Sequence, residues 1–333
     1  MAGHTIILNR ETFDEALCDQ GLAELNQSII GFQKARPSPW SVPIEAVRQA
    51  RREGKGVFPG IDPDPAAREV QVKGRGGQDI TVRIIQPSEG VARGTYLHLH
   101  SGGWVFGEAI ENDKRLRALA DETGLATASV DYRLAPEHPF PAAPDDCEDV
   151  ALALARGQIE GLPNEFLAIG GESAGAHLSV LTLLRLRDLH GLTPFRAANL
   201  IAGCYDLSLT PSVRNFGEER LILNTDDVKE FVLRFVPDAI PLMDPSVSPL
   251  YADLRDLPPA LFSIGTRDPL LDDTLFMASR WMAAGNSATL STWAGGCHVF
   301  QAFDCMAAQT ANREAARFLL DAGQGREATR TAA

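Results

Sequence analysis

Residues 167–184, LAIGGESAGAHLSVLTLL, constrain the fold of this chain more than any other stretch. The apolar run over 166–169 reads as a buried strand, Gly170 and Gly171 end it, and 174–184 reads as a helix. Ser173 therefore falls on the turn between them, inside Gly171-Glu172-Ser173-Ala174-Gly175, a G-x-S-x-G pattern. A serine in such a turn is held at strained backbone angles with its hydroxyl above the sheet. Glycines two residues to either side leave room for neighbouring backbone to pass. The first N–H groups of the helix then point toward a reacting carbonyl oxygen. An ordinary glycine-rich strand–helix turn carries the same five letters, so the rest of the chain has to decide between the two.

The remaining pattern alternates. Strands are expected over 70–72 and 80–85, flanking the hairpin signal Gly74-Arg75-Gly76-Gly77, and then over 95–99, 125–130, 166–169, 198–204, 261–265 and 288–293. Helices over 113–123, 145–155, 174–184 and 272–284 separate them, which requires a mainly parallel sheet covered by helices on both faces. Before Val70 no strand is read. Residues 1–65 carry helical spacing over 11–32 and 44–52, and form either a surface layer or part of a lid. Within the sheet unit, 66–333, residues 206–249 are too long for a simple crossover. They hold a helical piece and the prolines Pro237, Pro241, Pro245 and Pro249, and such excursions at the carboxyl edge of a sheet cover the ligand crevice. From Gln324 onward the chain reads as a frayed tail.

Composition removes several classes of function. A length of 333 residues supports one large core with a small accessory lobe. A net charge of −13 argues against nucleic acid or an anionic membrane surface as partner, since both require a basic face. Five scattered cysteines with no C-x-x-C pair suggest reduced thiols in a cytoplasmic protein. The longest apolar run at the start, 5–8, is too short for a signal peptide or a membrane span, so no membrane insertion is expected.

A serine nucleophile needs donors for the oxyanion, a base, and an acid that orients the base. His100-Ser101-Gly102-Gly103-Trp104 follows the strand over 95–99 directly and matches an oxyanion loop of H-G-G-G type, with Ser101 in place of the first glycine. The donors are then the N–H groups of Gly102, Gly103 and Ala174, with His100 holding the loop by hydrogen bonding. The chain order nucleophile, acid, base leaves His177, His190 and His298 as candidate bases. His190 sits at a helix end beside Gly191 and is assigned to the last helix carbonyls. His177, one turn along the helix from Ser173, remains a rival. His298, on a glycine-flanked loop after the last strand, is favoured because a mobile base belongs on a loop. For the acid, Asp268 lies just past the strand over 261–265, while Asp272 and Asp273 are assigned to the N-cap and first turn of the next helix. A Cys297–His298 nucleophilic pair is disfavoured, because adjacent residues in an extended segment point opposite ways. Trp104, Phe106, Phe216 and Phe300 are candidate pocket walls.

Five segments together carry a family resemblance: HSGGW from His100, DYRLAPEHPFPAA from Asp131, GESAG from Gly171, DPLLDD from Asp268 and CHVF around His298. The chain resembles the bacterial hormone-sensitive-lipase-like (family IV) carboxylesterases of the α/β-hydrolase fold. The resemblance runs in order from about Val70 to the end. It implies a mostly parallel central sheet with a helical cap, a triad at Ser173, Asp268 and His298, and an oxyanion hole at Gly102, Gly103 and Ala174. Ser101 and Val299 depart from it, each standing where a glycine is usual. The activity so implied is hydrolysis of short- to medium-chain acyl esters without metal or cofactor, a small-molecule ester being the partner and homodimerisation left open. Acyl transfer to an alcohol is the alternative within enzymes. A ligand-binding protein without turnover is the more distant one, and would be expected to lack a triad member.

Overall fold

The computed structural model describes residues 10–325, so the apolar run over 5–8 and the tail beyond Gly325 lie outside the described residues. Eight strands, β1 (Arg68–Lys73), β2 (Asp79–Ile85), β3 (Thr95–Leu99), β4 (Ala126–Asp131), β5 (Leu167–Glu172), β6 (Phe195–Ile201), β7 (Ala260–Gly265) and β8 (Ala288–Trp293), form one sheet. Their spatial order is β1-β2-β4-β3-β5-β6-β7-β8. The hairpin β1–β2 is antiparallel with Val72 opposite Ile80, β2 is antiparallel to β4, and every later pairing is parallel. Edge strand β1 alternates between half-buried and exposed residues, whereas β3 and β5 are buried throughout, as expected of parallel strands covered on both faces.

Alternate residues of the central strands feed two different cores. Leu97, Leu167 and Ile169 pack with residues of α4 (Ala142–Ala155), α5 (Ala174–His190) and α8 (Leu271–Ala283). Tyr96 and Ala168 pack on the opposite face with residues of α3 (Asp113–Thr123) and α9 (Met306–Gly323). Helix α9, after β8, is an element that the sequence pattern does not announce. Its buried stripe, Ala311, Ala315, Phe318 and Leu319, is helically spaced but mostly alanine, so its periodicity is weak.

The order of the strands locates the crevice. The chain leaves β3 for β4 on one side and returns to β5 on the other, so β3 and β5 are neighbours at a topological switch point. Leu99 at the end of β3 pairs with Gly171 near the end of β5. Ligands bind at the carboxyl ends of strands at such a point. The segment His100–Trp104 leaves the end of β3 there, and Ser173 leaves the end of β5 beside it.

Ahead of the sheet stand α1 (Gln20–Lys34) and α2 (Ile44–Arg52). The helix expected over 11–32 is divided, with two 3₁₀ turns, Arg10–Phe13 and Glu15–Leu17, preceding α1. The physical reason is Asp19, whose carboxylate accepts from Leu22 N at 3.2 Å and starts a new helix there. In the excursion after β6 a short helix, α6 (Pro211–Asn215), precedes α7 (Thr225–Phe235). Reciprocal Asn224 and Asp227 bonds form a capping box on α7. No helix among the described residues is long and apolar enough to cross a membrane.

Candidate active site

Ser173 occupies φ 55°, ψ −118° between β5 and α5, and its N–H donates to Ile201 O at 2.8 Å. The flanking glycines are demanded by β3. A Cβ on Gly171 would stand 2.1 Å from Leu99 O, and one on Gly175 would stand 1.8 Å from it. Real side chains do not approach backbone that closely, so any other residue would push the turn off the sheet.

Opposite the serine, Gly102, Gly103 and Trp104 take positive φ in succession, at 123°, 59° and 62°. Phe106 N donates to Gly102 O at 2.9 Å and closes the loop. A Cβ on Gly103 would meet the Phe231 ring at 2.1 Å. The N–H groups of Gly102, Gly103 and Ala174 have no intramolecular acceptor among the described residues. His100 lies under this loop, donating from Nδ1 to Ser101 O at 2.8 Å and stacked on Tyr132 at 4.1 Å. The Tyr132 hydroxyl donates in turn to His100 O at 2.7 Å. Burial pushes the His100 imidazole down to about 4, so it is neutral and unsuited to carrying a proton at neutral pH.

Asp268 and His298 are brought together by two loops that interlock. Thr266 N bonds Trp293 O and Arg267 N bonds Gly296 O, both at 3.0 Å. Gly265 packs against Gly296 so tightly that a Cβ on it would stand 2.1 Å from Gly296 O. The result is a 2.8 Å hydrogen bond from His298 Nδ1 to Asp268 Oδ2, with Asp268 Oδ1 held by Leu270 N at 2.9 Å. Both side chains are nearly enclosed, 2% exposed for Asp268 and 3% for His298. Helix α1 braces the loop, since buried Asn26 donates to Gly295 O at 2.8 Å. Val299, next to the histidine, sits at φ 52°, in the left-handed region that a β-branched residue rarely adopts.

The other candidates are engaged elsewhere. His177 accepts from Trp104 Nε1 at 3.1 Å through Nδ1 and donates to Val247 O at 2.8 Å through Nε2, and burial brings it down to about 4. His190 is bound by Glu148 Oε1 at 2.6 Å rather than by the helix carbonyls expected from its position. Asp272 is not the cap of α8. Leu270 occupies that position, and the Asp272 carboxylate reaches across to Ser212 N at 2.8 Å. Asp273 is fully buried and accepts from Tyr205 N, Asp206 N and the Thr210 hydroxyl, tying the start of the excursion to α8. Cys297 is enclosed among apolar residues near Leu22 and Phe300, and its thiol is pushed up to about 12 by burial and by the charge of Asp268. No group of three or more His, Cys, Asp or Glu side chains among the described residues is placed to hold a metal ion.

A cavity of about 530 Å³ opens above these groups and is bordered by Ser173, His298, Gly102 and Gly103. Of the four aromatic residues expected as walls, Phe106 lines it. Trp104 instead stacks beneath on Phe235 at 4.5 Å, and Phe216 and Phe300 pack into the core around Leu22 and Ile29. The walls not anticipated come from outside the sheet, with Trp40, Val47 and Phe58 from the N-terminal segment and Ile222, Leu223 and Phe231 from the excursion. These two segments are bonded to each other. Gln33 and Ile222 exchange two hydrogen bonds at 3.1 Å, and Trp40 Nε1 donates to Asp227 Oδ1 at 2.7 Å. Arg48 joins the lower layer through Val105 O at 3.0 Å and Ala135 O at 2.9 Å.

One buried position beside the site that sequence reasoning misses is Glu172, the residue between Gly171 and Ser173. Its side chain points away from the cavity into a buried ion network with Arg115 and with His98 Nε2 at 3.1 Å. Burial alone would raise this carboxyl, but Arg115 and His98 outweigh it and bring it down to about 2. A charged residue inside an otherwise apolar strand is the available signal.

Comparison with known proteins gives a consistent set of matches. A family model described as the alpha/beta hydrolase fold matches residues 96–302. The carboxylic ester hydrolase LipN of Mycobacterium tuberculosis is 30% identical over 87% of this chain and 77% of its own length. An acetyl esterase of Salmonella agona is 28% identical over 90% of this chain and 94% of its own. A solved esterase from the bacterial hormone-sensitive lipase family superposes with a TM-score of 0.78 at 28% identity, covering 91% of this chain and 98% of that one.

Proposed function

Since this chain belongs to the α/β-hydrolase family and is a carboxylic ester hydrolase of its hormone-sensitive-lipase-like branch, we propose that it cleaves short- to medium-chain acyl esters through an acyl-enzyme on Ser173. The observation that carries this reading is the 2.8 Å Asp268–His298 bond beside a cavity that Ser173 also borders. With Nδ1–H committed to Asp268, the His298 ring presents Nε2 as an acceptor. It takes the Ser173 proton as Oγ attacks the ester carbonyl. The N–H groups of Gly102, Gly103 and Ala174 receive the oxyanion. Protonated His298 then delivers its proton to the departing alcohol, and finally activates the water that releases the acid. The preference for short chains is supported by the modest cavity and by the likeness to an acetyl esterase.

Residues 1–65 and the 206–249 excursion serve as a cap over the catalytic domain, 66–333, in this reading. Its support is that residues 32–58 of the first and 220–231 of the second line the cavity, and that the two segments are bonded to one another.

A fluorophosphonate should label Ser173 and abolish hydrolysis of p-nitrophenyl butyrate. Ser173→Ala should lower kcat by something on the order of 10⁵-fold or more, the scale found when a catalytic serine is removed. Peptide mapping of the adduct elsewhere, with Ser173→Ala still active, would overturn the assignment.

A further inference from the structure

A second cavity, of about 580 Å³, lies beside the catalytic one. It is bounded by α3, the segment after His298 and the start of α9, with Leu116, Leu119 and Phe303 as apolar walls. Arg51, Phe58, Ser101 and Val299 border both spaces and so form the wall between them.

That wall is built from interlocking contacts. The Arg51 guanidinium pairs with Glu111 and lies 5.5 Å over the Phe58 ring. Phe58 stacks on Phe303 at 5.5 Å and packs in the cluster that holds Val299, Ile201 and Ile264. Val299 is 4% exposed and keeps φ at 52°, a conformation that glycine takes freely and valine does not. A strained residue persists only where its surroundings over-determine it, and such positions gather at functional sites. Here the side chain held at that cost is one of those that close one cavity from the other.

We propose that Arg51, Phe58, Ser101 and Val299 form a partition that sets substrate length, with Val299 as its specificity-determining residue. The proposal rests on the reading of Ser173 as nucleophile in the first cavity. With the partition closed, the ester chain is confined to the catalytic cavity. With the valine side chain removed, a longer chain passes beside His298 into the second cavity and is buried against Leu116, Leu119 and Phe303.

The test is a kcat/KM series for Val299→Gly and for Phe58→Ala, which opens the same wall from the other side. p-Nitrophenyl esters from butyrate to decanoate lengthen the acyl end, and acetates of butanol through decanol lengthen the alcohol end. Each methylene that moves from water into the opened space adds roughly fourfold, so the long-to-short ratio should rise at least about tenfold in one of the two series. Placing Ala118→Trp, on the exposed face of α3 where it borders the second cavity, in the Val299→Gly protein should bring the ratio back to within about threefold of wild type. Should Val299→Gly fail to fold, Phe58→Ala carries the same expectations. Unchanged ratios in both series, or a gain that survives Ala118→Trp, would overturn the partition. Butyrate hydrolysis that depends on Ser173 in the wild type would leave the reading of the site standing in that case, and its absence would remove that reading instead.

Discussion

Ser173 and Val299 both hold positive φ, at 55° and 52°, and both border the catalytic cavity, yet the chain around them is organised differently. At the serine, the space for the turn comes from glycines two residues away, and the whole device lies within five consecutive residues pressed against the end of β3. At the histidine, the strained residue is itself the bulky one, and the working contact joins side chains thirty positions apart through two loops. The half that carries Ser173 is thus a local backbone structure, held by the strand that lies beneath it. The half that carries Asp268 and His298 is a fit between loops, and its geometry depends on how Gly265 meets Gly296. Damage to the flanking glycines of the first should appear as lost folding, and damage to the loop contact of the second as lost rate.

The largest effect expected from this contrast is on rate. Asp268→Asn should keep the fold but lower kcat by roughly 10⁴-fold, the scale seen when a triad carboxylate becomes an amide. Asp272→Ala is the control, since its carboxylate accepts from Ser212 N, and it should cost about 1 kcal/mol of stability with little change in rate. A near wild-type rate for Asp268→Asn would dissolve the distinction between the two halves.

Next in size is a pair of glycine substitutions. Gly175→Ala strikes the carbonyl of β3, which cannot yield, and should cost at least about 3 kcal/mol in urea unfolding. Gly265→Ala strikes the backbone of the Gly296 loop rather than a strand, so a loss of about 1–3 kcal/mol should accompany a fall in kcat as Asp268 and His298 separate. Equal stability losses with equal rates would break the comparison.

The last effect, read through pH and small at neutral pH, separates the two histidines. His298 faces an acid, whereas His177, on the nucleophile side, faces the Trp104 N–H and a carbonyl and is pushed down to about 4 by burial. A histidine whose folded value lies below its unfolded value of about 6.5 adds stability that is complete above that pH. That contribution is lost as pH falls toward about 4, at a slope approaching 1.4 kcal/mol per pH unit. His177→Gln should be less stable than wild type at pH 7 and show a flatter decline between pH 6.5 and 4. Parallel slopes for the two proteins would show that His177 does not stay neutral in the fold.

Much of this organisation is legible in the sequence because it arises from local chain physics. The G-x-S-x-G turn, the glycine loop after β3 and the strand–helix alternation are each set by what a few consecutive residues can sterically do. Where legibility ends, the cause can be named in each case. Helix α9 buries mostly alanine, so its period stands out little from the background. Trp104, Phe216 and Phe300 read as walls because aromatic residues near a motif suit a pocket, but large side chains suit a core equally well. Glu172 and Asp273 look like ordinary polar positions until their partners are seen. Those partners, Arg115 and His98 for one and the backbone of 205–206 for the other, lie far away in the chain.

By itself the sequence determined the layered α/β architecture, the turn that carries Ser173 and the short list of groups able to act with it. Periodicity and glycine spacing are properties of neighbouring residues, and they act before the chain has folded. Only the tertiary structure decided which of three histidines faces a carboxylate beside the cavity that Ser173 borders, and which of the nearby aspartates faces a histidine. It also decided that the cavity walls come from segments outside the sheet, and that Val299 stands between two cavities. Each of these is a distance between residues remote in the chain, and such distances exist only once the two cores have packed and brought the loops into contact.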